Sequence, residues 1–156
     1  MNLYLPMHEN GFYHIYNRGN NGDNLFYKEE NYFYFLKKYD QYLSDYLETY
    51  AYCLLSNHFH ILARVKEGIT PLVSDVKTYE GTEKVVSEAF RRFFTSYAKS
   101  INIQEGRTGS LFQKNFKRKE VNNESYFTQL VYYIHSNPAK HNICTDFKEY
   151  SYSSYG

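Results

Sequence analysis

Residues 52–65 read Tyr52-Cys-Leu-Leu-Ser-Asn-His-Phe-His-Ile-Leu-Ala-Arg-Val65, two apolar runs that are separated by Ser56-Asn57. These runs predict two strands, Thr49 to Leu55 and His58 to Val65, joined by a tight turn. Side chains two residues apart on a strand share a face, whereas on a helix they lie about 200° apart. The strand assignment therefore pairs the imidazoles of His58 and His60 on one face of a rigid sheet, where they can hold a metal ion.

The patterns on either side of this hairpin predict an α+β fold. Phe12 to Asn17 has the composition of a strand, and apolar residues from Tyr32 to Tyr46 recur at helical spacing. Further along we expect a helix from Lys84 to Ile101, a strand from Asn115 to Val121, and a helix from Asn123 to about Ser136 that Pro138 closes. The order is a ferredoxin-like β-α-β-β-α-β core with an antiparallel sheet and an added C-terminal helix.

The composition predicts one folded domain over residues 1–156. A chain of 156 residues can bury a sizeable core without disulfides, and its two cysteines, Cys53 and Cys144, stand in unrelated contexts. Residues 66–82 form the longest irregular stretch, with a helical turn around Val73 to Tyr79. The N-terminus does not read as a signal peptide, and we find no apolar stretch long enough to span a bilayer. We therefore expect a cytoplasmic protein with no membrane partner.

The charge of the chain is unevenly distributed, although its net value is only +1. Residues 91–119 hold eight of the eighteen basic residues and one of the seventeen acidic residues. Such a run is often a solvated helix face. Within it, residues 112–119 alternate cations with aromatic rings, a pattern typical of surfaces that bind phosphates and stack on bases.

The third predicted helix carries a candidate nucleophile and a candidate metal ligand. Tyr133 and Asn137 are four residues apart and share a helix face. If that face docks over His58 and His60, two imidazoles, an amide oxygen and a phenol converge. Two histidines and an amide leave coordination positions open, as a catalytic ion requires. The simpler alternative is that Tyr133, one of nineteen tyrosines, packs in the core.

A tyrosine nucleophile suits one kind of reaction in particular. Tyrosine has an ordinary pKa of about 10, so it attacks only when an ion or a base helps to remove its proton. Its attack on a phosphodiester gives a phosphotyrosine that keeps the energy of the broken bond. Rejoining then needs no ATP, which suits strand transfer better than hydrolysis.

Four segments resemble, in order and spacing, the single-tyrosine transposases of the HUH endonuclease superfamily. They are Tyr13-His-Ile-Tyr-Asn-Arg-Gly19, Asn57-His-Phe-His60, Gly109-Ser-Leu-Phe-Gln113 and Tyr133-Ile-His-Ser-Asn-Pro138. The ending Tyr150-Ser-Tyr-Ser-Ser-Tyr155 resembles the aromatic, serine-rich segment of the REP-associated branch. Together these segments span nearly the whole chain.

The resemblance implies cleavage of single-stranded DNA beside a hairpin, through a 5′-phosphotyrosine and a free 3′-OH. It implies Mg²⁺ or Mn²⁺ as cofactor, although histidine ligands by themselves would also suit Fe²⁺ or Zn²⁺. His58 and His60 match the histidine pair, Tyr133 the nucleophile and Asn137 the helix amide, where insertion-sequence members more often have glutamine. Relatives are monomers or homodimers that exchange the tyrosine helix, and the sequence leaves both open.

Our leading hypothesis is a metal-dependent single-stranded DNA endonuclease and strand transferase, a transposase. A non-catalytic module that binds hairpin DNA or RNA is the main alternative, and a metal hydrolase of small molecules is a third. The predicted site comprises Tyr133 as nucleophile and His58, His60 and Asn137 as metal ligands. The predicted DNA contacts are Arg18, Arg64, Arg107, Lys114, Lys117, Arg118 and Lys119.

Overall fold

A computed structural model describes residues 6–68, 81–140 and 151–154. The elements, in chain order, are β1 (Phe12–Arg18), α1 (Glu29–Leu43), β2 (Leu47–Leu55), β3 (His58–Val65), α2 (Gly81–Glu105), β4 (Lys117–Val121) and α3 (Glu124–Lys140). This is the predicted α+β order, a ferredoxin-like core followed by one helix. The helical turn predicted around Val73 to Tyr79 lies outside the described residues.

The four strands form one antiparallel sheet in the order β2-β3-β1-β4. The two inner strands are therefore β1 and β3. In their register, His60 on β3 lies opposite Tyr16 on β1, and Arg18 lies opposite His58. On the outer side of β1, Lys119 of β4 lies opposite His14. Basic and imidazole side chains thus come from three neighbouring strands.

The first face of the sheet packs against α1 and α2. Strand alternation turns Phe59, Ile61 and Ala63 of β3 to this side, where all are buried. The helices bury their apolar stripes here, and aromatic rings fill most of the space between the layers. The largest of these fully buried side chains are Tyr13, Phe35, Phe59, Phe90, Phe93 and Tyr97.

The second face of the sheet is covered by α3. A smaller apolar cluster joins them, made of Ala51, Cys53, Leu55, Leu62, Val121, Leu130 and Ile134. The side-chain oxygen of Asn123 caps the helix by accepting a hydrogen bond of 2.7 Å from the backbone N–H of Tyr126. The cap and the cluster together fix the position of α3, and therefore of the side chains that it carries to the sheet.

The prediction that Pro138 closes this helix is wrong, because α3 continues to Lys140. A proline removes one backbone hydrogen bond within a helix. Here Pro138 is buried in the last turn, next to the buried Asn137. The burial of these two residues favours the helical conformation and offsets the loss of one hydrogen bond.

The end of β1 is tied to the β2–β3 turn through Gly19. Its N–H donates a 2.9 Å hydrogen bond to the carbonyl of Asn57, beside His58. A Cβ atom at this position would lie 1.8 Å from the carbonyl oxygen of Asp23. Only glycine permits this close approach of two backbone segments, which fixes the end of the strand next to the histidine pair.

Residues 151–154 lie along the outer edge of β2. The N–H of Leu54 donates to the carbonyl of Tyr152, the N–H of Ser154 donates to the carbonyl of Tyr52, and Ser153 bridges to Cys53. The sequence predicted no element here. Within the described residues, the structure contains no helix that is long and apolar enough to cross a membrane.

Candidate active site

The two histidines of β3 point to the face of the sheet that carries α3. Phe59, which lies between them, is fully buried in the core on the opposite face. His60 is buried and His58 is half-buried. Their ring centroids are 5.4 Å apart, and the two planes are nearly perpendicular. Strand alternation therefore brings both imidazoles together, as the sequence predicted.

Helix α3 brings Tyr133 and Asn137 to these histidines. The centroid of the Tyr133 ring lies 5.6 Å from that of His60, edge to face. Asn137 is fully buried, and its Oδ1 lies 3.4 Å from Nε2 of His58. By contrast, Tyr132 is 65% exposed and points away. The four-residue spacing places one tyrosine and one amide over the histidine pair.

The arrangement of His58 and Asn137 is one that a cation would fit. Nδ1 of His58 lies 2.8 Å from the carbonyl oxygen Oδ1 of Asn57, which can only accept, so Nδ1 carries the proton. When His58 is neutral with its proton on Nδ1, the lone pair of Nε2 faces Oδ1 of Asn137, a second acceptor. Two ligands bound about 2.1 Å from one ion lie roughly 3.0–3.5 Å apart. The separation of 3.4 Å falls in that range.

Two further observations bear on a metal ion. Nδ2 of Asn137 is buried without a hydrogen-bond partner among the described residues, so hydrogen bonds among them do not account for the burial of this nitrogen. Residues 6–68, 81–140 and 151–154 also contain no group of three or more His, Cys, Asp or Glu side chains arranged to hold a metal. The ligand set His58, His60 and Asn137 stays a prediction.

A third histidine, which the sequence analysis did not assign to the site, touches His60. Nε2 of His14 on β1 lies 3.0 Å from Nδ1 of His60 in a buried hydrogen bond. The His14 ring also stacks on Tyr16, with centroids 4.5 Å apart. Burial lowers the pKa of His14 to about 4, and the charge of Lys119 lowers it further in the same direction. His14 is therefore neutral at physiological pH.

Two open pockets flank the histidines, and both are lined by Tyr16 and His60. The first, about 400 Å³, contains Tyr133. The second, about 270 Å³, contains His58 and the end of β1. The remaining residues of the first pocket include His14, Lys119, Tyr126, Gln129 and Leu130, and those of the second include Asn17, Arg18, Phe59, Gln113 and Lys117. An extended chain could pass from one pocket to the other across the imidazoles.

Three of the predicted DNA contacts line these pockets. Arg18 and Lys117 lie in the pocket with His58, and burial, followed by the charge of Arg18, lowers the pKa of Lys117. Lys119 lies in the pocket with Tyr133, where its Nζ is 5.3 Å from the centroid of the Tyr126 ring. Positive charge therefore stands on both sides of the histidine pair.

The structure places the other predicted cations elsewhere. The Arg64 guanidinium binds Glu48 at 3.0 Å, and that of Arg107 binds Asp23 at 2.7 Å. The Arg118 side chain lies on the opposite face of β4, above the ring of Phe116. Lys114 is exposed in the loop before β4 and lines neither of the two pockets. Contact with DNA stays a prediction for all of these residues.

Comparisons with known proteins support the fold. No protein-family profile and no curated protein matches the chain. Among solved structures, a REP-associated tyrosine transposase bound to a REP hairpin superimposes with a TM-score of 0.72 at 16% sequence identity. The match covers 97% of this chain and 79% of the transposase. The chain thus has the fold of that tyrosine transposase.

Proposed function

We propose that this protein is a single-stranded DNA endonuclease and strand transferase whose nucleophile is Tyr133. The observation that carries the proposal is the convergence of Tyr133, His60, His58 and Asn137 at one place between α3 and the sheet. A phenol beside two imidazoles and a buried amide is the chemical set needed to attack a phosphodiester with the aid of an ion.

The proposed cleavage step forms one bond and breaks one. The oxygen of Tyr133 bonds to phosphorus, and the bond between phosphorus and the 3′-oxygen breaks. The phenolic proton passes to solvent, and the departing 3′-oxygen takes up a proton. The product is a 5′-phosphotyrosine and a free 3′-OH. Attack by a 3′-OH on the phosphotyrosine reverses these changes, so a different strand end can be joined without an energy source.

Other side chains of the site would bind the cation and the phosphates of the strand. His58, His60 and Asn137 would hold a divalent cation, with Mg²⁺ or Mn²⁺ implied by the family resemblance. Such an ion polarises a phosphate oxygen and lowers the cost of the negative charge that builds up during attack. Arg18, Lys117 and Lys119 would bind neighbouring phosphates in the two pockets and align the strand over Tyr133.

The proposed substrate is single-stranded DNA next to a hairpin. The similar transposase was solved with a REP hairpin bound, and its fold matches 97% of the present chain. The pockets of this chain are open, positively charged and lined by aromatic rings, which suits an unpaired strand whose bases can stack. The partner class and the fold thus agree with the chemistry of the site.

The test is formation of a covalent adduct. The full chain is incubated with end-labelled single strands that contain candidate hairpins, with Mn²⁺, with Mg²⁺ or with excess chelator, and the products are resolved under denaturing conditions. We expect the fragment downstream of the cut to be linked to the protein through its 5′ phosphate, and the upstream fragment to be released with a free 3′-OH, only when metal is present. Tight binding of the hairpin without any adduct would instead favour the alternative function, a non-catalytic hairpin-binding module.

A further inference from the structure

The contact between His14 and His60 restricts how His60 can bind an ion. Nδ1 of His60 is engaged by Nε2 of His14 at 3.0 Å, and this hydrogen bond is buried. A ring nitrogen in such a bond cannot also coordinate a metal. A cation bound by His60 must therefore use Nε2, on the far side of the ring from His14.

One proton decides whether Nε2 of His60 can serve as a ligand. The hydrogen bond contains a single proton, which lies either on His60 Nδ1 or on His14 Nε2. If His60 carries it, then Nε2 of a neutral His60 has a lone pair for the metal. If His14 carries it, then neutral His60 has its own proton on Nε2, and that nitrogen cannot coordinate. Which of the two histidines donates this hydrogen bond thus determines whether Nε2 of His60 can bind a metal ion.

We propose that His14 is a positioning residue that accepts this hydrogen bond and thereby holds His60 in the tautomer that binds metal. The inference rests on the cation of the proposed function. It assigns to β1 a role that parallels the role of Asn57 toward His58, because Nδ1 of each imidazole is hydrogen-bonded, to Nε2 of His14 in one case and to Oδ1 of Asn57 in the other. Partners of this kind orient the ring and fix its tautomer in metal sites.

The surroundings of His14 keep its ring in place. It stacks on Tyr16, with planes 28° apart, and it lies opposite Lys119 in the β1–β4 register. The His60 ring is 5.2 Å from His14 and 6.0 Å from Tyr16, centroid to centroid. Both rings are buried and lie on the two inner strands of the sheet.

Two substitutions of His14 test its role as a hydrogen-bond acceptor separately from the packing of its ring. His14→Phe keeps an aromatic ring against Tyr16 but removes the acceptor. His14→Gln keeps an acceptor, the amide oxygen, but removes the ring. His8→Gln, at an exposed position outside both pockets, is the matched control for loss of a histidine.

The direct measurement is the protonation state of the His60 ring nitrogens, read from long-range ¹⁵N–¹H correlation spectra of the metal-free full chain. We expect the proton on Nδ1 in the unaltered protein and in the His14→Gln and His8→Gln variants, and on Nε2 or divided between both nitrogens in His14→Phe. Mn²⁺ affinity, measured by calorimetry, should fall about 10- to 100-fold in His14→Phe and change less than about 3-fold in the other two variants.

A His60 proton found on Nε2 in the unaltered protein would overturn the inference, and this measurement needs no variant to fold. Unchanged Mn²⁺ affinity in a folded His14→Phe variant would overturn it as well. The proposed function can fail separately: if no Tyr133 adduct forms although Mn²⁺ binds and the tautomer responds to His14→Phe, then the positioning role stands and the transferase does not.

Discussion

Asn137 Oδ1 lies 3.4 Å from His58 Nε2, so α3 brings its buried amide to the strand that carries the histidine pair. Tyr133 stands one helical turn before Asn137, so the docking of α3 on the sheet positions both side chains. A change at Asn137 that shifts this end of α3 is therefore expected to act on both the metal ligands and the position of the nucleophile.

The covalent bond is expected at Tyr133 and at no neighbouring tyrosine. Tyr133→Phe removes one oxygen and almost no volume, so it should abolish adduct formation while folding and DNA affinity stay the same. Tyr132→Phe should remain active, because Tyr132 is 65% exposed on another face of α3. Tyr16→Phe is the stricter control, since Tyr16 lines the same pocket as Tyr133. Peptide mapping by mass spectrometry of the protein that is covalently linked to a cleaved strand identifies the residue that carries the nucleotide. A nucleotide on Tyr16 or Tyr132 would contradict the assignment.

His58→Ala and His60→Ala are each expected to abolish cleavage and to leave the fold largely intact. Both rings project from the sheet toward α3 and do not belong to either apolar core cluster. Excess chelator should have the same effect as either substitution. The measurements are adduct yield, metal content by elemental analysis and a thermal unfolding curve. Full activity in protein shown to be metal-free would exclude a metal-dependent mechanism.

Phe59→Ala, at the position between the two histidines, should instead destabilise the fold. The Phe59 ring is fully buried among the aromatic residues of α1 and α2, including Phe35 at 5.4 Å between centroids. Loss of such a ring typically costs about 3–5 kcal/mol of unfolding free energy. Denaturant unfolding should therefore separate this variant clearly from the two histidine variants. Equal stability of the three would mean that the strand faces are assigned wrongly.

Lys117 and Lys119 are expected to bind phosphates. Neutralising both as glutamine should flatten the log-log salt dependence of single-strand binding by about 1.4, at roughly 0.7 per phosphate. The matched control is Arg91→Gln with Arg92→Gln, which removes the same charge from an exposed face of α2 where both guanidiniums pair with Glu88. If the salt dependence of single-strand binding has the same slope in the two double variants, Lys117 and Lys119 make no specific contact with phosphates.

The strand faces and the helix face of the site could be predicted because each follows from local periodicity. A two-residue repeat places His58 and His60 together, and a four-residue repeat places Tyr133 with Asn137. The contact of His14 with His60 could not be predicted, because it depends on the register between β1 and β3, which no local pattern records. A lone histidine in a strand also has the same appearance when it is only packed.

The positions of the basic residues could also be predicted only in part. Their density in residues 91–119 is visible in the sequence, but the face on which each lies depends on tertiary partners. Lys117 and Lys119 reach the site, whereas Arg118 between them points to the opposite face, and Arg107 is bound to Asp23. The continuation of α3 through Pro138 is likewise decided by packing and not by the proline itself.

The pairing of residues 151–154 with β2 also bears on the solubility of the protein. An unpaired strand edge offers N–H and C=O groups to any other extended chain and so favours aggregation. Here backbone bonds from Leu54 to Tyr152 and from Ser154 to Tyr52 cover part of one edge of the sheet. The other edge, β4, has only five residues, and three of them are cations. A short, charged edge repels a second copy of itself, so this sheet is protected at both sides against uncontrolled growth.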